Sequence, residues 1–446
     1  MGRRTRGTVL IAAMWIVLVL AGLVLVFARV SRVEVAATAN HVAELQAANI
    51  AQGALAFVLS EVNGTGGAYA TGGDASFEAV PVGEGFFWIV DPSWEDDRAY
   101  SFGVRGESSR LNLNSATRDM LLKLPGMTAE LAASIVDWRD ADSEVSPGGA
   151  ESEYYLLLSD PYDCKSAPFE AVEELLLVRG ASPALLWGED LNRNGVLDPN
   201  ENDASESEPP DNRDGRLDRG LFDFLTVYSR EPNQTSSGEN RVNVNDASGG
   251  RLSDVLRGVV GEDRFFQVME RVRGGRPFRN VLDFYFRTGL TSEEFARIAD
   301  RLTTSGAREL VGLVNVNTAP REVLLCLPGL EESDVDALLA KRSASGTDLS
   351  SMAWVAQVLS REKAVEAGGF MTVRSYQFSA DIVAVSGNGR AFRRYRAVVD
   401  ARTSPPRVLY WKDLTHLGWP LASEILTALR SGGVPADAQT LAGGGR

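Results

Sequence analysis

Histidine is almost absent from this chain, which has 446 residues and only two histidines, His41 and His416, far apart in the sequence. Because histidine is the commonest acid–base residue and metal ligand near neutral pH, most histidine-based catalytic and zinc sites are excluded. No nucleophile–base pair and no paired catalytic carboxylates stand out elsewhere. The sequence therefore predicts a protein that is not an enzyme.

Cysteine is equally scarce, and Cys164 and Cys326 form no recognisable framework. Cys326 lies among leucines and is typical of a small core residue, whereas Cys164 lies in a loop-like stretch. Two free thiols are the simpler interpretation. A disulfide stays open, because pairing cannot be read from the sequence alone.

Positive charge is in deficit, with 45 Lys and Arg against 60 Asp and Glu and a net charge of −15. Phosphate binding depends on clustered Lys and Arg, so this balance argues against nucleic acid as the main partner. It is compatible with metal cations or with basic protein surfaces. The length favours two or three domains.

One long apolar run is present at the N-terminus. For about twenty residues after Gly7 there is no charged residue, which is long enough to cross a bilayer as a helix. Arg3, Arg4 and Arg6 precede the run, so the N-terminus is expected in the cytoplasm. A short basic leader that ends in glycine resembles a prepilin leader, which is cut after the glycine and would make Thr8 the mature N-terminus. A plain signal anchor has the same pattern, so both interpretations stay open here.

The helical pattern continues beyond the apolar run, and the expected helix covers residues 8–62. No proline interrupts residues 33–62, and a run of turn-forming residues ends the pattern at 63–67. The residues that recur at helical spacing, and are expected to face a core, are Leu45, Ala48, Gln52, Leu55 and Leu59. A helix with one half in lipid and the other half on a globular head is the pilin layout.

Strand patterns flank a long, mostly helical middle. Short strands are predicted at Phe86–Asp91 and Tyr100–Arg105, within a first part of the head at 63–106. The best pattern is an alternating hairpin with one buried face, in which Tyr395, Ala397 and Val399 share a side. It lies in residues 370–414, which end with a possible third strand at Arg407–Trp411. The predicted fold is α+β, a long helix on a small antiparallel sheet, with an all-α domain inserted at 107–369 and an unassigned tail at 415–446.

Three similar units recur in this middle, and each opens with Asn-x-Asn, at 112–114, 243–245 and 315–317. The first and third continue into a Leu-Pro-Gly turn between two short helices, as in a helix-hairpin-helix. Nucleic-acid-binding hairpins carry a second glycine after that turn, followed by Lys or Arg. Here Thr128 and Glu331 replace that glycine and acidic residues follow. The pattern favours compact packing units over DNA binding.

An acidic loop lies at 190–220, and its first twelve residues fit the calcium-loop pattern D-x-N-x-N-G-x-x-D-x-x-E. The predicted ligands are Asp190, Asn192, Asn194, the carbonyl of Val196, Asp198 and Glu201. A partial second copy contains Asp211, Asn212, Asp214 and Asp218, but Pro210 and Leu221 occupy its first and twelfth positions. A shared or second site would have to be completed by other residues, such as Asp203, Glu206 or Glu208.

Together these features resemble the type II secretion minor pseudopilin family called general secretion pathway protein K, from Arg6 to about Leu414. The residues that carry the resemblance are Arg6-Gly7, Trp15, LNLNSA with Leu-Pro-Gly, Tyr154-Tyr155, PFEAVEELLLVRG at Pro168–Gly180, LTVYS at Leu225–Ser229 and VNVNTAPREVLLCLPG. The resemblance implies a pilin-like fold with an inserted α-domain that binds calcium. It also implies cleavage between Gly7 and Thr8 by the prepilin peptidase, with methylation of the new N-terminus.

The resemblance further implies partners and a location. The partners are the minor pseudopilins I and J, the major pseudopilin and the inner-membrane assembly platform. The chain would be a single-pass inner-membrane protein with its head in the periplasm, at the tip of the pseudopilus. Major pseudopilins have glutamate as the fifth mature residue, and Ala12 occupies that position here. The alternatives are a membrane-anchored helix-hairpin-helix DNA receptor of a competence system, or a minor pilin that acts as an adhesin.

Overall fold

The computed structural model describes residues 5–67, 77–94, 96–204, 206–246, 250–274 and 277–435. Its helices are α1 (Thr5–Val62), α2 (Arg118–Leu121), α3 (Ala129–Arg139), α4 (Ser152–Tyr155), α5 (Pro183–Trp187), α6 (Leu221–Phe224), α7 (Gly250–Arg257), α8 (Glu262–Gly274), α9 (Val281–Thr288), α10 (Ser292–Ala296), α11 (Arg321–Leu325), α12 (Glu332–Ser343), α13 (Arg361–Ala367) and α14 (Ser423–Arg430).

The strands fall into one main sheet and four short pairs. They are β1 (Val80–Val82), β2 (Gly85–Val90), β3 (Arg105–Gly106), β4 (Leu111–Asn112), β5 (Leu225–Thr226), β6 (Arg230–Pro232), β7 (Val242–Asn243), β8 (Leu302–Thr303), β9 (Glu309–Val311), β10 (Val314–Asn315), β11 (Met371–Thr372), β12 (Gln377–Val385), β13 (Phe392–Asp400) and β14 (Arg407–Asp413).

Helix α1 is divided between a bare apolar half and a half that packs on the sheet. Its most apolar 18-residue window has a mean hydropathy of 3.1 and is 0% buried. By length and composition this part could cross a membrane. The second half contacts β2, β12 and β13. The predicted division of this helix therefore agrees with the structure.

The buried face of α1 differs from the predicted one. Leu45 is 52% exposed, Gln52 is exposed, and Leu55 and Leu59 are only half-buried. The residues that face the sheet are mainly small: Ala43, Ala47, Ile50, Ala51, Ala54, Val58 and Val62. Small side chains let the helix approach the sheet closely, whereas the larger leucines of the adjacent stripe remain at its margin. The prediction chose the bulkier stripe and was wrong.

The main sheet is antiparallel, with strand order β1-β2-β12-β13-β14 and with β3 also paired to β12. The strand predicted at Tyr100–Arg105 is reduced to β3 and an isolated bridge between Val90 and Phe102. The reason is that β2 and β3 share one edge of β12. Because β2 pairs as far as Asp381 and β3 then pairs at Phe378, the chain between them must bend.

Both faces of β12 are buried, contrary to the expected single buried face. One face packs on α1 through Phe378, Ala380, Ile382 and Ala384. On the other face, tail residues pack on the outer side of β2 and β12, in a cluster that joins Trp88, Val383 and Val385 to Trp419, Leu421 and Leu429. The tail therefore completes a second small core, which its sequence did not reveal.

The segment between β3 and β12 is helical but not all-α. It contains the parallel pairs β4–β5, β7–β8 and β10–β11 and the antiparallel pair β6–β9. Each parallel pair joins an Asn-x-Asn opening to a Leu-Thr or Met-Thr dipeptide farther along the chain. The segment is thus built from three units, at 111–226, 242–303 and 314–372. Strands of two residues have no detectable period, which is why they were missed.

The Asn-x-Asn openings hold these units together. In the first unit the Asn112 Oδ1 accepts a hydrogen bond from the backbone N–H of Asn114. The Asn114 amide then holds Phe169, donating to its carbonyl at 2.9 Å and accepting from its N–H at 2.7 Å. Asn245 makes the same pair of bonds with Phe278 in the second unit. The asparagine amide thereby bonds both backbone groups of one residue, as a neighbouring strand would.

We expect Asn114→Ala to lower the thermal stability of the detergent-solubilised chain. The change leaves the N–H and carbonyl of the buried Phe169 without partners, which costs about 1–3 kcal/mol. Thermal unfolding followed by circular dichroism measures this loss. Asn49→Ala, at an exposed position of α1, is the matched control and should melt like the unmodified chain. Equal melting of the two variants would contradict the proposed clamp.

Candidate metal centres

The first acidic loop gathers the predicted ligands at 190–201. The Asp190 carboxylate accepts hydrogen bonds from the N–H groups of Asn194 at 3.0 Å and Gly195 at 2.8 Å. Gly195 has φ +70°, which suits the sharp turn at this position. The amides of Asn192 and Asn194 both donate to Asp198, at 2.6 and 3.1 Å. Asn192, Asn194 and Asp198 are therefore linked through their side chains, and Asp190 holds the backbone of the same turn.

Glu201 closes this loop from its last position. Its side chain accepts from the N–H of Leu191 at 3.0 Å and from the N–H of Asp198 at 3.1 Å. Glu201 is 1% exposed and Asp190 is 6% exposed. Val196, whose carbonyl was the remaining predicted ligand, donates its N–H to the Asn194 side chain at 2.7 Å. The loop is more buried than its polar sequence indicated.

The second acidic loop repeats this geometry position by position. Asn212 donates to Asp218 at 3.0 Å, as Asn192 donates to Asp198. Asp214 donates its N–H to Asn212 at 2.8 Å and accepts from the N–H of Arg216 at 2.9 Å. The two loops therefore share the same turn hydrogen bonds at their third, fifth and ninth positions, although their first and twelfth residues differ.

Two residues that flank the first loop close the second one. The Glu189 carboxylate accepts from the N–H groups of Asn212 at 3.2 Å and Asp218 at 3.1 Å, which is the role that Glu201 plays in the first loop. Asn202 accepts from the N–H of Gly215 at 3.1 Å, as Asp190 does from Gly195. Adjacent residues therefore serve different loops. Asp190 and Glu201 hold the first loop, and their neighbours Glu189 and Asn202 hold the second.

The hydrogen bonds that close the second loop come from Glu189 and Asn202 and not from the side chains of Asp203, Glu206 or Glu208, whose part in a metal site stays untested. The Asp203 side chain accepts from Ser207, and Glu206 is exposed. Asp211 accepts from the N–H groups of Asp203 at 2.8 Å and Arg213 at 2.7 Å, so it fixes the turn rather than closing the loop. The sequence pattern missed Glu189 and Asn202 because neither lies within the twelve positions of the second loop.

The buried carboxylates of the loops repel each other. Burial, and next the charge of Asp223, raises the pKa of Asp190 to about 6. Burial and the Asp190 charge raise the pKa of Glu201 to about 8. Burial also raises the pKa of Glu189. Like charges in a buried site favour either protonation or a bound cation.

A third acidic group was not predicted from the sequence. Ligand oxygens of Asp140, Asp142 and Glu151 lie within 4.8 Å of one another, after the C-terminus of α3. Glu151 is 4% exposed, and its Oε1 and the Asp140 Oδ1 are buried without a hydrogen-bond partner in the described part of the chain. Burial, with neighbouring carboxylates contributing, raises the pKa of both Asp140 and Glu151. The Asp-x-Asp spacing of Asp140 and Asp142 is the sequence feature that could have indicated this group.

All three groups offer only oxygen ligands. Carboxylate, amide and backbone oxygens suit hard cations such as calcium, whereas zinc and copper prefer nitrogen and sulfur. In the Asp140, Asp142 and Glu151 group two buried carboxylate oxygens also lack a hydrogen-bond partner within the described residues. The ligand types present are compatible with calcium, which stays a prediction at each position.

The two hairpins are poorly suited to binding a phosphate group. Thr128 caps α3 by accepting from the N–H of Leu131 at 3.1 Å. At the start of α12, Asp334 accepts from the N–H of Glu331 at 2.9 Å, and Lys363 pairs with both acids. The N–H groups that could hold an anion are thus occupied by the protein's own side chains. That nucleic acid is not a partner stays a prediction.

The remaining predicted positions lie on α1 or are isolated. Gly7, Thr8 and Ala12 all lie within α1, and the first four residues of the predicted leader are outside the described residues. Cys164 and Cys326 are both buried and free, so the open question of a disulfide is answered for this structure. Burial raises the pKa of the Cys164 thiol to about 11.

Two stretches of the inserted segment match family models. Residues 108–187 match one model and residues 314–368 match another, and both are described as Type II secretion system (T2SS), protein K. The matched stretches cover part of the first unit and most of the third. The chain is therefore a component of a type II secretion system. It belongs to the protein K family of minor pseudopilins, as its motifs indicated.

Two other comparisons give weaker likenesses. A mouse protein, endonuclease/exonuclease/phosphatase family domain-containing protein 1, is 27% identical over 199 residues, or 45% of this chain. The chain spans only 29% of that protein's length. A solved chain from the GspK–GspI–GspJ complex of enterotoxigenic Escherichia coli aligns over 83% of this chain and 96% of its own length, with a TM-score of 0.35 and 12% identity.

We expect the chain to lose thermal stability between about pH 4.5 and pH 8 when a chelator is present. The folded Glu201 has a pKa of about 8, above the ordinary carboxyl value, so the folded state keeps a proton that the unfolded state releases. Its stabilising contribution is complete below about pH 4.5 and is lost as the pH rises through 8. Thermal unfolding across this range measures the slope. Glu201→Gln should flatten it, and an unchanged slope in that variant would contradict the assignment.

Proposed function

We propose that this chain is the tip subunit of a type II secretion pseudopilus, where it initiates assembly and supports export of folded proteins across the outer membrane. The observation that carries the proposal is the division of α1. Its apolar half is bare, and its other half is covered by the head. In a pseudopilus the bare half would lie first in the inner membrane and then among the helices of neighbouring subunits.

Ala12 supports a position at the tip. In a major pseudopilin the glutamate at the fifth mature position pairs with the free N-terminal amine of a neighbouring subunit. An unpaired charge in lipid or in a filament core is costly, so such a pair specifies stacking. With cleavage between Gly7 and Thr8, Ala12 occupies this position and offers no charge. A subunit without this glutamate cannot neutralise a neighbour above it, which suits the first subunit.

The inserted segment supports the same position by its size. It leaves the sheet after β3 and returns at β12, and its three units share one hydrophobic core. Such a body would hardly fit in a packed filament shaft. At the tip it has free space, and there it would contact secreted proteins or the outer-membrane channel.

The partners follow from this position. We infer that the prepilin peptidase cleaves after Gly7, that the N-terminus lies in the cytoplasm and that the head lies in the periplasm. The chain would join the minor pseudopilins I and J, then the major pseudopilin, on the inner-membrane assembly platform. The protein acts as a structural component and not as an enzyme.

Calcium is the proposed cofactor of the inserted segment. Asp190, Asn192, Asn194, Asp198 and Glu201 would hold one ion together with the Val196 carbonyl. A second ion would lie in the equivalent loop, held by Asn202, Asn212, Asp214, Asp218 and Glu189. The Asp140, Asp142 and Glu151 group would hold a further ion. In each case the ion would supply positive charge to the carboxylates, of which Asp190, Glu201, Glu189 and Glu151 are buried.

We expect the detergent-solubilised chain to co-purify with the I and J pseudopilins of the same secretion system. Size-exclusion chromatography with multi-angle light scattering gives the mass of the complex. The major pseudopilin alone is the control, and it should bind more weakly than the two minor subunits together. A chain that stays monomeric in the presence of all three pseudopilins would contradict the tip proposal.

We also expect saturating calcium to raise the melting temperature relative to chelator. At a hundredfold excess over the dissociation constant, one ion contributes about 2.7 kcal/mol, which corresponds to several degrees. Glu201→Gln should lose part of this increment, because it removes a ligand charge. Glu206→Gln, an exposed acid outside all three groups, should keep it. Equal melting with calcium and chelator would remove calcium from the proposal.

A further inference from the structure

Arg394 joins the main sheet to the first acidic loop. It lies on β13, is completely buried, and forms a two-point ion pair with Asp381 on the neighbouring strand β12. The Arg394 Nε lies 2.9 Å from the Asp381 Oδ1, and the Nη2 lies 2.7 Å from the Oδ2. A buried arginine with one carboxylate partner still has N–H groups to satisfy.

The remaining N–H groups of Arg394 reach the loop. The guanidinium donates to the carbonyl of Asn192 and, at 2.6 Å, to the carbonyl of Arg193. These carbonyls belong to the same turn as the predicted ligands Asn192 and Asn194. One planar group therefore fixes the loop backbone to the sheet.

The same region holds the C-terminal tail. Asn194 donates its side-chain N–H to the carbonyl of Pro420 at 3.1 Å. The backbone N–H of Arg394 donates to the Thr415 hydroxyl at 3.0 Å, and its carbonyl accepts from the N–H of Leu414 at 2.8 Å. The tail and the loop are thus held by neighbouring atoms of one sheet residue and one ligand residue.

The head turn before β3 closes the remaining side of the loop. Gly195 lies so close to Pro92 that a Cβ atom on this glycine would be 2.1 Å from the Pro92 Cβ. Leu197 donates its N–H to the Asp97 carbonyl at 2.7 Å. The loop backbone therefore has one conformation that fits the head. In that conformation Asp190, Asn194 and Glu201 are buried together.

We propose that cation binding in the loop at 190–201 is coupled through Arg394 to the docking of the C-terminal tail on the outer face of the sheet. This inference rests on the proposed calcium site of that loop. An ion orders the loop turn, the ordered turn presents its carbonyls to Arg394, and the Asn194 side chain holds Pro420. By linkage, the contacts with Arg394 must strengthen ion binding by the same factor. Arg394 acts here as a positioning residue.

The test compares Arg394→Lys with Arg393→Lys in the full-length chain in detergent. Lysine keeps the charge but loses the planar fork. Arg393 is the adjacent residue on the opposite face of β13, where it pairs with Glu44 of α1, so its variant is a matched control. Isothermal titration with calcium gives the affinity, and hydrogen–deuterium exchange with calcium or chelator gives the protection of the loop and of residues 415–430.

In the unmodified chain and in Arg393→Lys, calcium should protect both the loop and the tail. In Arg394→Lys, calcium affinity should fall roughly five- to tenfold, and added protection should be confined to the loop. Unchanged affinity with equal tail protection in Arg394→Lys would overturn the coupling while leaving the calcium site intact. If the unmodified chain binds no calcium, the calcium proposal fails, and the coupling fails with it.

Discussion

The pairing of β12 with β3 is the constraint on which the rest of this structure depends. Phe378 lies opposite Gly106 and Ser379 lies opposite Arg105, so the two ends of the inserted segment meet on one strand. Closing so long an excursion costs chain entropy, although the cost grows only slowly with length. Because the closure lies inside the sheet, the segment can be large without separating the strands that cover α1.

The three units divide the inserted segment into shorter loops, so the chain entropy is lost in three smaller closures. Each unit returns to its own start, where β4 meets β5, β7 meets β8 and β10 meets β11. In the first and third units the opening asparagine also reaches the serine that follows the closing strand, as Asn112 reaches Ser229 and Asn315 reaches Ser375. Each unit is therefore closed by its own strand pair, while one hydrophobic core runs through all three.

Much of this architecture could be predicted from sequence periodicity, and the failures have specific physical causes. The β12–β13 hairpin has a clear alternation, and Tyr395, Ala397 and Val399 do share the helix side. The buried stripe of α1 was missed because hydrophobicity favours leucine, whereas close helix–sheet packing favours alanine. The outer-face burial of β12 was missed because the covering residues are distant in the sequence.

The candidate metal centres show the same limit more sharply. A contiguous motif identified the first loop, since all its positions lie within twelve residues. The second loop takes its closing residues from either side of the first, so no contiguous motif describes it. The repeats offered one unused signal: LTVYS at 225–229 and MTVRS at 371–375 close two of the units. Recognising that pair would have predicted the parallel closures.

The junction between the inserted segment and the main sheet contains buried ion pairs, and these fix its geometry. Arg105, Arg110 and Arg394 each pair with a buried acid at this junction. Removing charges from water offsets much of the attraction between them, so such pairs specify geometry more than they add stability. An interface of this kind tolerates one arrangement of its donors and acceptors. Of the three arginines, Arg394 also holds the backbone of the acidic loop, so the geometry of that loop and of the sheet are set together.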